Sequence, residues 1–136
     1  MKKKLALEKE NSEDLGFAYA CLIYGAISFD EFLRWAYYVI ENYEVFPDYF
    51  LKIIDLQDFH ELRPMDVFGF TPVWSHTRRD MKTIMAIGFK RGIKKSEDII
   101  RQSDSQKFIT TDTRILSRFN RTFPFLLESS GFSSPS

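Results

Sequence analysis

The stretch that decides the fold is IYGAISFDEFLRWAYYVIENYE, residues 23–44. Gly25 follows an apolar run and is a stop signal, because glycine adopts the left-handed conformation that ends many helices. Ser28 and Glu31, three residues apart, form the pattern of a capping box, in which each side chain accepts a hydrogen bond from the backbone of the other. A signal that ends one helix, followed directly by a signal that begins another, predicts a new helix over residues 28–43.

Similar signals recur on both sides of this stretch. They predict a helix over residues 12–24 with Ser12 as its N-cap, and a helix over residues 75–91 with Gly92 as its stop. Further helices are predicted over residues 47–56, 96–102 and 111–123, with a short one after Pro64. Residues 71–72 are a candidate cap for the element that follows them. KFITT, residues 107–111, is the one candidate strand, and a strand needs a partner to pair with. The pattern therefore predicts an all-α protein: a compact single-domain helical bundle of about five to seven helices over residues 1–128, with a flexible tail at 129–136.

Composition indicates a globular chain with an aromatic core. The 136 residues are 44% hydrophobic and 16% aromatic, including 14 phenylalanines, whereas disordered chains have few aromatic residues. The single cysteine, Cys21, excludes an internal disulfide framework, and its apolar helical surroundings predict a buried thiol. Apolar residues 5–7 are too few for a secretory signal, and no run approaches the ~20 apolar residues of a membrane span. We expect a cytoplasmic protein without membrane association.

Charge is distributed unevenly along a chain whose formal net charge is zero. Residues 1–70 contain 7 Lys/Arg and 13 Asp/Glu, whereas residues 71–136 contain 12 Lys/Arg and 6 Asp/Glu. Such an asymmetry is typical of proteins that bind charged partners.

A helical projection of residues 29–43 separates an apolar face from a polar face. The apolar stripe runs from Phe32 and Val39 round to Tyr37, and it is the expected core side. Tyr38 falls near the centre of the polar face, with Trp35 at its edge. This face is either simply solvated or an interface, since Tyr, Trp and Arg are enriched at binding hot spots. On the second interpretation, the predicted partner-binding residues are Asp30, Glu31, Arg34, Trp35, Tyr38, Glu41, Glu44, Asp48, Asp55 and Asp58.

Motifs for catalysis or metal binding are not apparent. His60 begins HELRP, but the second histidine of a zinc-protease motif is replaced by Pro64, which also disfavours the required helix. Two histidines and one distant cysteine make a poor metal-ligand set, and the acidic residues lack the spacing of a calcium-binding loop. We therefore predict no catalytic residues, no metal site and no cofactor.

The basic half suggests an alternative function. Arg78, Arg79, Lys82 and Lys90 fall on one side of the predicted helix over residues 75–91. A basic face of this kind over residues 78–95 is compatible with a small nucleic-acid-binding regulatory protein, although it fits no known nucleic-acid-binding motif. Solubilising a buried helix explains the same residues equally well.

Four blocks of the chain resemble bacterial immunity proteins of contact-dependent growth inhibition and other polymorphic toxin systems. They are YGAISFDEFLRWA (24–36), VFPDYFLKIIDLQDF (45–59), FGFTPVW (68–74) and AIGFKRG (86–92), within residues 17–93. The resemblance implies a non-enzymatic cytoplasmic protein that binds and neutralises one cognate toxin domain, often a basic nuclease. In such families the toxin-facing surface varies, so the resemblance assigns no binding residue, and the acidic face around Tyr38 is the predicted interface.

Overall fold

The computed structural model describes residues 5–93 and 113–126 and is all-α, as predicted. Its helices are α1 (Glu13–Ile23), α2 (Phe29–Asn42), α3 (Tyr49–Ile53), α4 (Pro64–Val67), α5 (Arg78–Lys90) and α6 (Arg114–Thr122), with 3-10 turns at Phe59–Glu61 and Pro124–Leu126. No strand occurs among these residues beyond an isolated bridge between Glu8 and Asn11. The predictions for 96–102, 107–111 and the tail lie outside the described residues.

The described residues form two units that are not consecutive in sequence. The first unit contains residues 5–19 and 29–75, and the second contains residues 20–28, 76–93 and 113–126. Helix α1 therefore contributes to both units. The single domain expected over residues 1–128 stays a prediction.

Helix α1 begins where Ser12 predicted it, but the cap differs from the expected one. The N–H groups of Asp14 and Leu15 donate to the Ala6 carbonyl at 3.0 and 3.2 Å. These bonds satisfy donors that lack a partner within the helix. The Ser12 hydroxyl instead donates to the Val73 carbonyl at 3.0 Å and accepts from the Val73 N–H at 2.9 Å. Helix α1 is thus tied to a segment 61 residues away in the chain.

Gly16 allows this segment to approach the helix closely. A Cβ atom at position 16 would lie 2.5 Å from the carbonyl carbon and oxygen of Val73. Next along the segment, the Trp74 ring packs edge-on against Phe17, with ring centroids 5.2 Å apart. Because only glycine lacks a Cβ atom, this packing depends on the residue at position 16.

Aromatic rings form the core of the first unit, as composition predicted. Trp35 on α2 lies 5.5 Å from Phe32 and 5.4 Å from Phe50 on α3, measured between ring centroids. Tyr49 stacks on Phe50 at 5.1 Å and meets Phe68 edge-on at 5.0 Å. These contacts join α2 to α3 and α3 to the residues that follow α4.

Helix α3 is shorter than the predicted helix over residues 47–56. The Pro47 carbonyl accepts a hydrogen bond from the Phe50 N–H at 3.1 Å in a turn that precedes the helix, and Asp48 occupies the N-cap position. The predicted short helix after Pro64 is confirmed as α4. Pro64 is the first residue of α4, whereas Pro47 lies just before the N-cap of α3.

The second unit is built on α5 and α6, whose predicted positions are confirmed. The expected cap at 71–72 is wrong, because Thr77 and Asp80 form the capping box of α5 through bonds of 3.1 and 3.0 Å. The buried Asp80 carboxylate also accepts a 2.7 Å hydrogen bond from the Arg114 guanidinium, at the start of α6. Gly92 ends α5 with a φ of 76°, as predicted.

Candidate partner-binding surface

The buried face of α2 is rotated relative to the predicted one. It carries Phe32, Trp35, Ala36 and Val39, whereas Tyr37, assigned to the core stripe by the sequence pattern, is 48% exposed. Relative to the predicted orientation, α2 is rotated about its axis so that Trp35 faces the core and Tyr37 faces solvent. An indole ring buries a large area, and its contact with Phe50 of α3 stabilises this orientation.

Trp35 was therefore wrongly assigned to the partner-binding surface. Its side chain is 2% exposed and packs within the aromatic core of the first unit. The projection placed Trp35 at the edge of the polar face, and packing against another helix moved that edge into the core. Glu31, on the same side of α2, is half-buried.

Tyr37 replaces Tyr38 as the aromatic residue at the centre of the exposed face. Tyr38 is half-buried, and its carbonyl accepts a hydrogen bond from the Asn42 side chain at 2.8 Å. Burial raises the pKa of the Tyr43 hydroxyl, and nearby Tyr38 and Asp14 raise it further.

Four exposed residues at positions i, i+4, i+7 and i+11 form what we call the outer face of α2: Asp30, Arg34, Tyr37 and Glu41. Three of these four belong to the set predicted from the sequence, so the structure brings that part of the set together. Sequence reasoning missed Tyr37, although its spacing from the three charged residues, taken alone, indicates this face.

Several carboxylates of the first unit have no partner among the residues that the structure describes. Within the described ranges, the exposed side chains of Asp30, Glu41, Glu44, Asp48 and Asp55 make no hydrogen bond and no ion pair. A cationic group can approach these carboxylates without breaking an ion pair to any described residue. That these five residues contact a partner stays a prediction.

Asp58 has a structural role that the sequence did not indicate. Its carboxylate accepts a hydrogen bond from the Glu61 N–H at 3.3 Å, and the Glu61 carboxylate accepts from the Asp58 N–H at 3.2 Å. Together they cap the 3-10 turn at Phe59–Glu61, and His60 lies 3.9 Å from Asp58 in an exposed position. Asp58 is exposed, but its geometry is explained by this turn.

Acidic and exposed apolar side chains are interspersed in the first unit. Within its described part, 4 Lys/Arg stand against 13 Asp/Glu, and the described part of the second unit has 8 Lys/Arg and 1 Asp/Glu. The exposed apolar residues beside or one turn from an acidic residue are Tyr37, Val45, Leu51, Phe59 and Met65. Apolar groups among like charges are typical of a surface that binds an oppositely charged protein.

The basic residues of α5 do not form the continuous face that the sequence suggested. Ala86 and Phe89 lie on the same side of the helix as Lys82 and Lys90, and both are buried. Residues 83–89 are all buried, so the exposed charge is confined to the ends of α5. This pattern fits a core helix with solubilising ends better than a helix that lies along a nucleic acid.

Cys21 is a buried free thiol, as predicted. Burial raises its pKa well above its ordinary value, and the neighbouring Arg118 and Arg91 offset only part of this effect. A thiol held protonated and away from solvent is a poor nucleophile. No group of three or more His, Cys, Asp or Glu residues suited to hold a metal ion occurs within residues 5–93 and 113–126.

Helices of sufficient length and apolarity to cross a membrane are absent from the described ranges. Comparison of the chain with protein-family models, with curated proteins and with solved structures finds no match.

Proposed function

We propose that this chain is an immunity protein that binds a cognate toxin domain, in particular a basic nuclease, and neutralises it in the cytoplasm. The observation that carries the proposal is the first unit, where exposed carboxylates that make no ion pair with the described residues lie beside, or one turn from, exposed apolar side chains. The resemblance of residues 17–93 to immunity proteins supports the same function.

The electrostatics of such a pair provide a physical reason for this function. A nuclease must carry cationic groups that contact the phosphates of its substrate. A protein unit with 13 acidic and 4 basic residues in its described part attracts that cationic surface and competes with nucleic acid for it. Inhibition of this kind requires no catalytic step and no cofactor from the inhibitor.

The alternative is a small nucleic-acid-binding regulatory protein that uses the basic face of residues 78–95. The burial of Ala86 and Phe89 on that face argues against it. Fluorescence anisotropy with labelled duplex DNA and with tRNA, at 50 and 200 mM salt, tests this alternative. Binding that weakens steeply with salt would favour the regulatory protein, and its absence at low salt would remove it.

Co-expression tests the immunity function directly. The chain is produced together with the domain encoded immediately upstream of its gene, after that domain alone has been shown to arrest growth. Growth rescue and co-purification of a one-to-one complex are the expected results. If the toxic domain arrests growth unchanged and no complex is recovered, the immunity function is refuted.

A further inference from the structure

We infer that the outer face of α2 is the docking surface for the toxin, with Tyr37 as its anchor and Asp30 and Glu41 as flanking charges. This inference rests on the proposed function and deepens it, because it assigns the contact to one helix face and defines the chemistry of the opposing surface. The occupant is a cationic protein surface.

Helix geometry gives the dimensions of this docking surface. With a rise of 1.5 Å per residue, the Cα atom of Tyr37 lies about 10 Å along the axis from that of Asp30 and about 6 Å from that of Glu41. The Cα atoms of Asp30 and Glu41 thus lie on either side of that of Tyr37, about 16 Å apart along the helix axis. The opposing surface must present cationic groups at a similar separation.

The anchor is held on a rigid support. Helix α2 has 14 residues, and its opposite side is buried through Phe32, Trp35 and Val39. A tyrosine ring has only two side-chain torsions, so fixing it in a complex costs little conformational entropy compared with a long flexible side chain. By contrast, the exposed Val45 lies in the loop after α2, and the exposed Leu51 lies on the five-residue helix α3. Neither residue is held on a helix as long as α2.

Charge complementarity determines which class of partner fits. Asp30 and Glu41 have no ion pair with the described residues, so they repel phosphate groups of nucleic acids and of anionic lipids. The exposed ring of Tyr37 offers a face on which an Arg or Lys side chain can lie, and an edge that fits an apolar recess. A protein surface with Lys or Arg on both sides of a shallow recess matches Asp30, Glu41 and Tyr37. An acidic group beside the recess would match Arg34, the fourth residue of the outer face.

Binding measurements with matched variants test this inference. The probe is the purified toxin domain encoded immediately upstream, immobilised for surface plasmon resonance. For Tyr37→Ala we expect Kd to rise by about 30-fold, the range of an interface hot spot, and for Tyr37→Phe by less than about 3-fold because the ring is retained. The exposed Ile23→Ala, in the second unit, serves as the control for loss of an apolar side chain outside the candidate surface.

A second pair of variants separates local charge from net charge. Asp30→Lys/Glu41→Lys and the control Glu10→Lys/Asp66→Lys change the net charge equally, and all four positions are exposed. At low salt we expect the α2 variant to associate at least about 10-fold more slowly than the control, because steering depends on charge at the contact site. Circular dichroism verifies that each variant remains helical.

The outcomes distinguish this inference from the function on which it rests. If the wild-type chain binds the toxin domain and Tyr37→Ala and the α2 charge variant bind equally well, the docking surface is wrong and the immunity function stands. Equal losses in the α2 charge variant and its control also overturn the docking surface. If the wild-type chain neither binds nor rescues, the function fails and the docking surface falls with it.

Discussion

Substitution of Gly16 by alanine tests the packing that ties α1 to the segment at Val73. The new Cβ atom would lie 2.5 Å from the backbone of Val73, whereas ordinary contacts begin at 3.4 Å. The neighbouring atoms belong to a backbone and not to a flexible side chain, so they cannot rotate away. The segment has to shift by about 1 Å, a distance that weakens a hydrogen bond substantially.

Opposing contributions determine the size of the effect. Forcing a methyl group into a packed site costs about 1–3 kcal/mol. The two Ser12–Val73 hydrogen bonds, at 3.0 and 2.9 Å, weaken together, and each contributes about 1 kcal/mol to stability. Alanine offsets about 1 kcal/mol through its greater helix propensity. We therefore expect Gly16→Ala to lower the free energy of unfolding by about 2 kcal/mol.

Urea unfolding followed by circular dichroism measures this effect. With a slope of about 2 kcal/mol/M, the midpoint should fall by about 1 M. The control is Ser12→Ala alone and combined with Gly16→Ala: if the methyl group displaces Val73, the serine substitution should cost less in the Gly16→Ala background. A midpoint that rises, as helix propensity alone predicts, would refute the close approach.

Three further predictions follow from the described contacts. Asp80→Ala should lower the free energy of unfolding by about 2–3 kcal/mol, measured by urea unfolding, because α5 loses its cap and the buried acceptor for Arg114. Burial raises the pKa of the Cys21 thiol and the Tyr49 hydroxyl in the folded state. The free energy of unfolding should therefore be at its full value below about pH 8.5 and fall as pH rises above it. Thermal melts at pH 8–11 measure this fall, which should be less steep in the double variant Cys21→Ala/Tyr49→Phe than in the wild-type chain. Trp35→Ala should lower the melting temperature, unlike Tyr37→Ala, since only Trp35 is buried.

Helix positions followed from local signals and were largely predictable. Ser12, Gly25 and Gly92 correctly marked helix boundaries, because caps and glycine stops act within one turn of the chain. The cap of α5 was also marked locally, because Thr77 and Asp80 form a capping-box pattern. The prediction missed it because the cap was assigned to the preceding Thr71-Pro72.

The candidate binding surface was only partly predictable. Asp30, Arg34 and Glu41 are exposed on one side of α2, as the polar face predicted, but the aromatic residue among them is Tyr37 and not Tyr38 or Trp35. A projection gives the angle between residues of one helix. It does not give the direction from which the next helix packs.

The sequence by itself determined where most helices lie along the chain, that the core is aromatic and that acidic and basic residues separate along the chain. Tertiary structure decided which side of α2 is buried, through the contact of Trp35 with Phe50, and what the Ser12 hydroxyl binds. The physical reason is the range of the interactions. Capping acts over three or four residues, whereas burial and the Ser12–Val73 contact depend on segments that meet only in the folded chain.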